Sequence, residues 1–327
     1  MKYTALGTSG LKVSKVTLGC MSYGDPDVGS HGWTLPEDES RGFIRRALEL
    51  GITSFDTANS SSLGRSEEIV GNALRDFAKR EDVVLATKVF YPMRPGPYGG
   101  GLSRRHILEQ VDASLRRLRT DYIDLYQIHR WDPAVPIEET LQALDDVVRA
   151  GKVRYLGASS MWTWQFAKAQ FTARMNGWTA FVSMQAQYNL LTREDEREMY
   201  PFCLDQGIGA LPWSPLARGK LTRPWDEASR RFESDPLAAS LYHQNEAGDR
   251  RIVEAVFAVA AERGVAPAQV ALAWVMQQPV VASPIVGGTK LHHLHDAVAA
   301  VDLELTADEM TRLTEHYGPH AMEGFTA

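Results

Sequence analysis

Two stretches decide the fold: VVLATK at 83–88 and IDLYQIH at 123–129. Each is a short apolar run that ends on a polar or charged residue. Between them, 103–118 has the apolar spacing of an amphipathic helix. A short apolar run bounded by turn residues reads as a buried strand, and the three-to-four spacing as a helix packed on it. The same unit recurs outward in both directions. Strands are expected at 15–19, 53–56, 155–158, 181–185, 209–213 and 281–286. Helices are expected at 39–50, 66–75, 137–150, 162–176, 194–206, 250–263 and 266–277, with two more, 290–300 and 307–316, at the C-terminal end. In the first, Phe43, Ile44, Ala47 and Leu48 share one face. The second opens on Ser66 with two early glutamates, favourable at a helix N-terminus.

Strands that alternate with helices pair in parallel through right-handed crossovers. Eight such units in 327 residues favour a closed (β/α)8 barrel of the TIM type over an open sheet, as one domain spanning 1–327. The segment 2–13, with a GTSG turn at 7–10, reads as a β-hairpin ahead of the barrel that plugs its N-terminal end. The Gly/Pro-rich stretch 92–101 is a loop after the third strand, and the long irregular stretch 222–249 is expected to act as a flap.

The charge balance, 35 Lys+Arg against 41 Asp+Glu, argues against a nucleic-acid partner, which needs a basic stripe. At 44% hydrophobic the chain is not disordered. Cys20 and Cys203 form no disulfide framework and fit a reducing compartment. The N-terminus lacks an apolar signal core, and no run of ~18 apolar residues is present to span a membrane. A soluble, cytoplasmic protein is expected. No heptad or exposed apolar helix stands out, so the oligomeric state stays open.

In a (β/α)8 barrel the chemistry sits at the C-terminal ends of the strands. There the sequence sets Asp56, Lys88 and His129, at the ends of the second, third and fourth expected strands. Singly, such residues cap helices or face solvent. Together they converge at one mouth: Asp56 can pair with Lys88, their field can make a neighbouring hydroxyl more acidic, and His129 can donate to a developing alkoxide.

Eight motifs carry a family resemblance: GITSFDTA (51–58), GRSEEIVGNAL (64–74), ATKV (86–89), LYQIHRWDP (125–133), GKVRYLGASS (151–160), SMQAQYNLL (183–191), PWSPLARGKL (212–221) and PIVGGTK (284–290). With them the chain resembles the aldo-keto reductases, in particular a bacterial branch with long loops, over nearly its whole length. The resemblance implies reduction of aldehydes and ketones with NADP(H), bound across the C-terminal face without a GxGxxG motif. It also implies a catalytic Asp, Tyr, Lys and His. Asp56, Lys88 and His129 match three of these. The tyrosine position, five residues after the Asp, holds Ser61.

A serine hydroxyl is shorter and far less acidic than a phenol, and losing a general acid costs about 10²–10⁴-fold in rate. Three explanations stand open: an engineered substitution, a natural protein using water, Lys88 or His129 as donor, or an NADP(H)-binding redox sensor or regulatory subunit with vestigial catalysis. An isomerase or aldolase with Lys88 as a Schiff base is a further rival, disfavoured by the dinucleotide motifs. Tyr23 is a distant candidate for a substitute phenol, more simply read as pocket wall.

The resemblance also assigns Ser159, Ser160 and Gln185 to the nicotinamide carboxamide and Trp213 to stacking on its ring. Ser214, Leu216, Arg218, Gly219 and Lys220 would cover the pyrophosphate. Gly288 and Thr289 would offer backbone amides, and Lys290 would meet the 2′-phosphate, favouring NADP over NAD. Met21, Tyr23, Trp33, Tyr91 and Trp131 are expected to wall the pocket of a small-molecule carbonyl substrate. His292, His293 and His295 do not converge on a helix, so no metal is expected.

Overall fold

Strand and helix alternate along the computed structural model, which describes residues 1–29, 32–227, 242 and 245–322. An antiparallel hairpin, β1 (Tyr3–Ala5) and β2 (Lys12–Ser14), comes first. Eight parallel strands follow: β3 (Thr17–Gly19), β4 (Ser54–Asp56), β5 (Val84–Val89), β6 (Ile123–Ile128), β7 (Val153–Ser159), β8 (Phe181–Gln185), β9 (Gly209–Ala210) and β10 (Ile285–Gly287). Their order is β10-β3-β4-β5-β6-β7-β8-β9. The ring closes where Ala210 N donates to Val280 O (2.8 Å) and Ala282 N to Ala210 O (3.0 Å). Ile285 N adds a bond to Pro212 O at 2.8 Å. The expected (β/α)8 barrel is therefore the observed fold.

The helices among the described residues are α1 (Glu37–Glu49), α2 (Arg65–Phe77), α3 (Arg104–Leu118), α4 (Ile137–Arg149), α5 (Thr163–Met175), α6 (Met199–Gln206), α7 (Glu246–Arg263), α8 (Pro267–Met276), α9 (Leu291–Ala299) and α10 (Ala307–Thr314). Their inward faces, with Ile44, Ile69, Val111, Leu144, Phe166, Val256 and Leu272, bury against the outside of the sheet in one continuous core. No single described helix is long and apolar enough to cross a membrane; α7 and α8 reach that measure only as a pair bent by 103°.

Two expected strands are shortened at a proline, and one expected helix is divided. The strand expected at 209–213 is regular only over Gly209–Ala210. Pro212 has no N–H for the ladder, yet Leu211 N and Trp213 N still reach Met184 O and Ala186 O at 2.9 and 2.8 Å. Likewise Pro284 shortens the last strand to Ile285–Gly287. The helix expected at 194–206 divides into a 3-10 turn, Glu194–Glu196, and α6, with Pro201 in the first turn of α6 where a missing N–H costs nothing.

One surface expectation is corrected. Helix α5 does expose an apolar face, with Trp164, Phe171 and Met175 outward while Phe166, Ala169 and Ala173 point inward. With both faces apolar, no amphipathic periodicity marks it in the sequence.

The hairpin plugs the barrel floor. Leu6, Leu11 and Val13 pack with Ala86, Leu125, Leu211, Ala282 and Ile285 from inside the barrel. Thr8 N bonds Gly207 O at 2.8 Å. Gly7, at φ +60°, sits so close that a Cβ would lie 2.2 Å from Gly207 O. Above this apolar floor, strand alternation sets Lys88 two residues after Ala86 and Gln127 two after Leu125 on the same inward face. The interior thus turns polar toward the C-terminal mouth.

Candidate active site

The mouth is organised by a buried carboxylate. Asp56 and Lys88 are only 5% and 4% exposed, and Lys88 Nζ forms an ion pair with Asp56 Oδ1. Lys88 Nζ also donates to Thr57 O at 2.8 Å. The other carboxylate oxygen, Asp56 Oδ2, accepts from Gln127 Nε2 (2.9 Å) and Gln185 Nε2 (3.0 Å). Both charges are paired and both carboxylate oxygens accept hydrogen bonds, as a buried ion pair needs.

His129 follows β6, its backbone N bonded to Val89 O at 3.0 Å. Burial holds its imidazole well below the usual histidine range, and the Lys88 and Arg130 charges push the same way. At neutral pH it is uncharged. Its Nδ1 is buried with no hydrogen-bond partner among the described residues. The ring of Tyr91 meets it edge-on, centroids 4.8 Å apart.

Ser61 is 8% exposed and opens the 3-10 turn Ser61–Gly64, its backbone N bonded to Ala58 O at 3.1 Å. Within that turn Ser62 and Leu63 adopt left-handed backbone. Of the seven non-glycine residues with positive φ among those described, six lie in loops after β4, β7 and β9: Ser62, Leu63, Ser160, Ser214, Ala217 and Arg218. Such conformations cost roughly 1–2 kcal/mol each. Their concentration at one end of the barrel marks that end as the functional one.

The other sequence candidates fall around this mouth. Ser159 and Ser160 are buried, their hydroxyls 3.2 Å apart. Trp213 Nε1 donates to Ser160 Oγ at 3.1 Å, fixing the indole. Asn189 Nδ2 holds Ser214 O at 2.9 Å. Leu216 O accepts from Gly219 N at 2.9 Å, Arg218 is buried, and Lys220 lies 4.1 Å over the Trp225 ring. Gly288 is buried, Thr289 half-buried and Lys290 exposed just before α9.

The pocket-wall candidates divide. Tyr91 stands against His129, and Met21 and Trp33 are half-buried. Trp131 pairs with Trp164 at 6.0 Å. Tyr23 is fully buried, and its hydroxyl donates to Gly288 O at 3.0 Å. Burial raises that phenol well above its ordinary range, so its proton is held fast. Among the histidines near α9, His295 Nε2 lies 3.4 Å from Arg46, and the His292 and His293 rings touch edge-on. Among the described residues no three His, Cys, Asp or Glu side chains gather to hold a metal. Most of 222–249, the expected flap, lies outside the described residues. Within it, buried Tyr242 accepts from Gln187 Nε2 (3.1 Å) and Asn189 Nδ2 (3.2 Å).

Sequence reasoning missed Gln127. The signal was present in LYQIH, because Gln127 lies two residues before His129 and so shares its side of the strand.

A model of the aldo/keto reductase family matches residues 15–318. The chain belongs to that family. Among its relatives, the versiconal hemiacetal acetate reductase of Aspergillus parasiticus is 46% identical over 98% of both chains. An aldo-keto reductase of Alternaria alternata is 43% identical over 98% of this chain and 93% of its own. Another, from Metarhizium robertsii, is 41% identical over 98% of this chain and 92% of its own. The aldo/keto reductases are oxidoreductases of small carbonyl compounds and generally use nicotinamide cofactors. These relatives are fungal and carry no argument for a bacterial branch.

Proposed function

We propose that this aldo/keto reductase reduces aldehydes or ketones to alcohols with NADPH, and that Ser61 impairs its proton delivery. The observation that carries the reading is the neutral imidazole of His129, with its unpartnered Nδ1, beside the buried Lys88–Asp56 pair. An orphaned buried nitrogen at an enzyme mouth suits a ligand oxygen or its proton.

The residues present fit a dinucleotide. Ser159, Ser160 and Gln185 offer hydroxyls and an amide to the carboxamide, and Trp213 a fixed ring face. Arg218 and Lys220 supply cations for a pyrophosphate, and Lys290 a cation for a 2′-phosphate, which favours NADP over NAD. When bound, NADPH supplies a hydride to the carbonyl carbon. His129 orients the carbonyl oxygen by hydrogen bonding. Lys88, paired with Asp56 and donating to Thr57 O, gives the field that a nearby hydroxyl needs to release its proton. The same pairing makes Lys88 a poor Schiff-base nucleophile, which needs a free amine. At Ser61 the hydroxyl is aliphatic, and a water bridging to the substrate oxygen is the simplest replacement for the missing phenol.

We further read residues 1–327 as one domain acting in a reducing compartment, the cytoplasm, where the buried free thiols of Cys20 and Cys203 persist. The second reading, an NADP(H)-binding redox sensor, is favoured by the serine at the donor position. One experiment separates the two: NADPH oxidation with an activated aromatic aldehyde by this chain and by Ser61→Tyr. A gain of about 10²-fold or more is expected. Equal, appreciable rates would refute the general-acid argument. Binding of NADPH without turnover by either form would favour the sensor.

A further inference from the structure

We propose that Gln127 is a positioning residue: it locks the amide of Gln185 so that Gln185 meets its ligand only through a hydrogen-bond acceptor. The inference rests on the nicotinamide-cofactor reading above and adds a rule for which nicotinamide analogues the site accepts.

Gln127 is completely buried inside the barrel, level with Lys88 on β5 and Gly157 on β7. An amide there is costly unless its bonds are made. They are made: Nε2 donates to Asp56 Oδ2 at 2.9 Å, and Oε1 accepts from Gln185 Nε2 at 3.1 Å. Gln185 Nε2 also donates to Asp56 Oδ2 at 3.0 Å. The chemistry forces this orientation. Asp56 is paired with Lys88 and is an acceptor only, so both amides must turn their nitrogens toward it.

Gln185 Nε2 has two hydrogens, and both are used, one on Asp56 and one on Gln127. What remains for a ligand is the oxygen, Oε1. The neighbouring strand keeps room for this arrangement: a Cβ on Gly157 would stand 2.9 Å from Gln127 Cγ and 2.4 Å from Ser183 Oγ. A carboxamide, which carries N–H donors, satisfies Gln185. A ketone in the same place opposes oxygen to oxygen.

The test is calorimetric binding of NADP+ and of its 3-acetylpyridine analogue, in which a methyl ketone replaces the carboxamide. The full chain, Gln127→Leu and Gln127→Glu are compared, with a thermal melt of each. The unaltered chain should bind the analogue at least ~10-fold more weakly than NADP+. Gln127→Leu leaves Gln185 Nε2 held by Asp56 alone and frees its second N–H as a donor for a ligand, so the preference should fall below ~3-fold. Gln127→Glu separates positioning from packing. Its protonated carboxyl reproduces the donor and acceptor of the amide, whereas its ionised form sets a second carboxylate against Asp56. Its preference should match the unaltered chain in acid and be lost as the pH rises, while the unaltered chain stays flat. Should Gln127→Leu fail to fold, the pH response of Gln127→Glu decides alone. Analogue binding by the unaltered chain as tight as NADP+ overturns the inference and leaves the reductase reading standing. So does a Gln127→Glu preference that is absent even in acid, where the carboxyl is protonated. Failure of the unaltered chain to bind either nucleotide overturns both.

Discussion

Replacing Lys88 by Met strands a carboxylate inside the barrel. Asp56 is 5% exposed, so water cannot substitute for the lost ammonium. Breaking a buried ion pair by removing one partner costs about 3–5 kcal/mol. Asp56 keeps the two amide donors at 2.9 and 3.0 Å, which sets the expectation at the low end, about 3 kcal/mol. In equilibrium urea unfolding, with an m-value of about 3 kcal/mol/M for a chain of this size, the midpoint falls by roughly 1 M. Adding Asp56→Asn removes the stranded charge, and the double variant should regain at least about 1 kcal/mol over Lys88→Met. A deficit below about 1 kcal/mol would refute the view that this pair is desolvated and mutually dependent.

Three further outcomes are expected. Gly7→Ala drives a Cβ to 2.2 Å from Gly207 O at a φ of +60°, so the hairpin must leave its seat; a loss of more than about 2 kcal/mol in a thermal melt is expected, and an unchanged melt would contradict the plug. Asp195 is buried beside Glu194, and its carboxyl is pushed up to about 7, mainly by burial. The folded state then holds a proton that the unfolded state releases, so this group's stabilising share is full below 3.8 and is lost as the pH rises through about 7. Asp195→Asn should accordingly be the more stable form above that range in urea titrations, with the gap closing in acid. His129→Phe keeps a ring against Tyr91 but removes the hydrogen-bonding nitrogens, and kcat/KM for a carbonyl substrate should fall by about 10²-fold or more, with NADPH affinity within a few-fold in a parallel binding titration.

Much of this protein was legible in its sequence. Each βα unit announces itself locally, because a strand buried on both faces is a short apolar run and its covering helix repeats every three to four residues. Eight such units, once counted, have few ways to close, and closure fixes which strand ends share a mouth. Asp56, Lys88 and His129 could therefore be named together though they lie 32 and 41 residues apart along the chain. Ser61 was singled out only by the family resemblance, which implies a tyrosine at that position.

The tertiary structure decided what depends on contacts between distant segments. Prolines 212 and 284 shorten β9 and β10, yet the ring still closes through Ala210, because the bonds that close it come from the residues beside them. Helix α5 carries apolar side chains on both faces, so periodicity could not say which face is covered. Tyr23 became unavailable once its hydroxyl met Gly288 O, 265 residues away in the chain. Gln127 was one polar residue in an apolar run until the fold brought Asp56 and Gln185 to its two ends. A local pattern reports burial and element type; which donor meets which acceptor is set by the packing of the whole barrel.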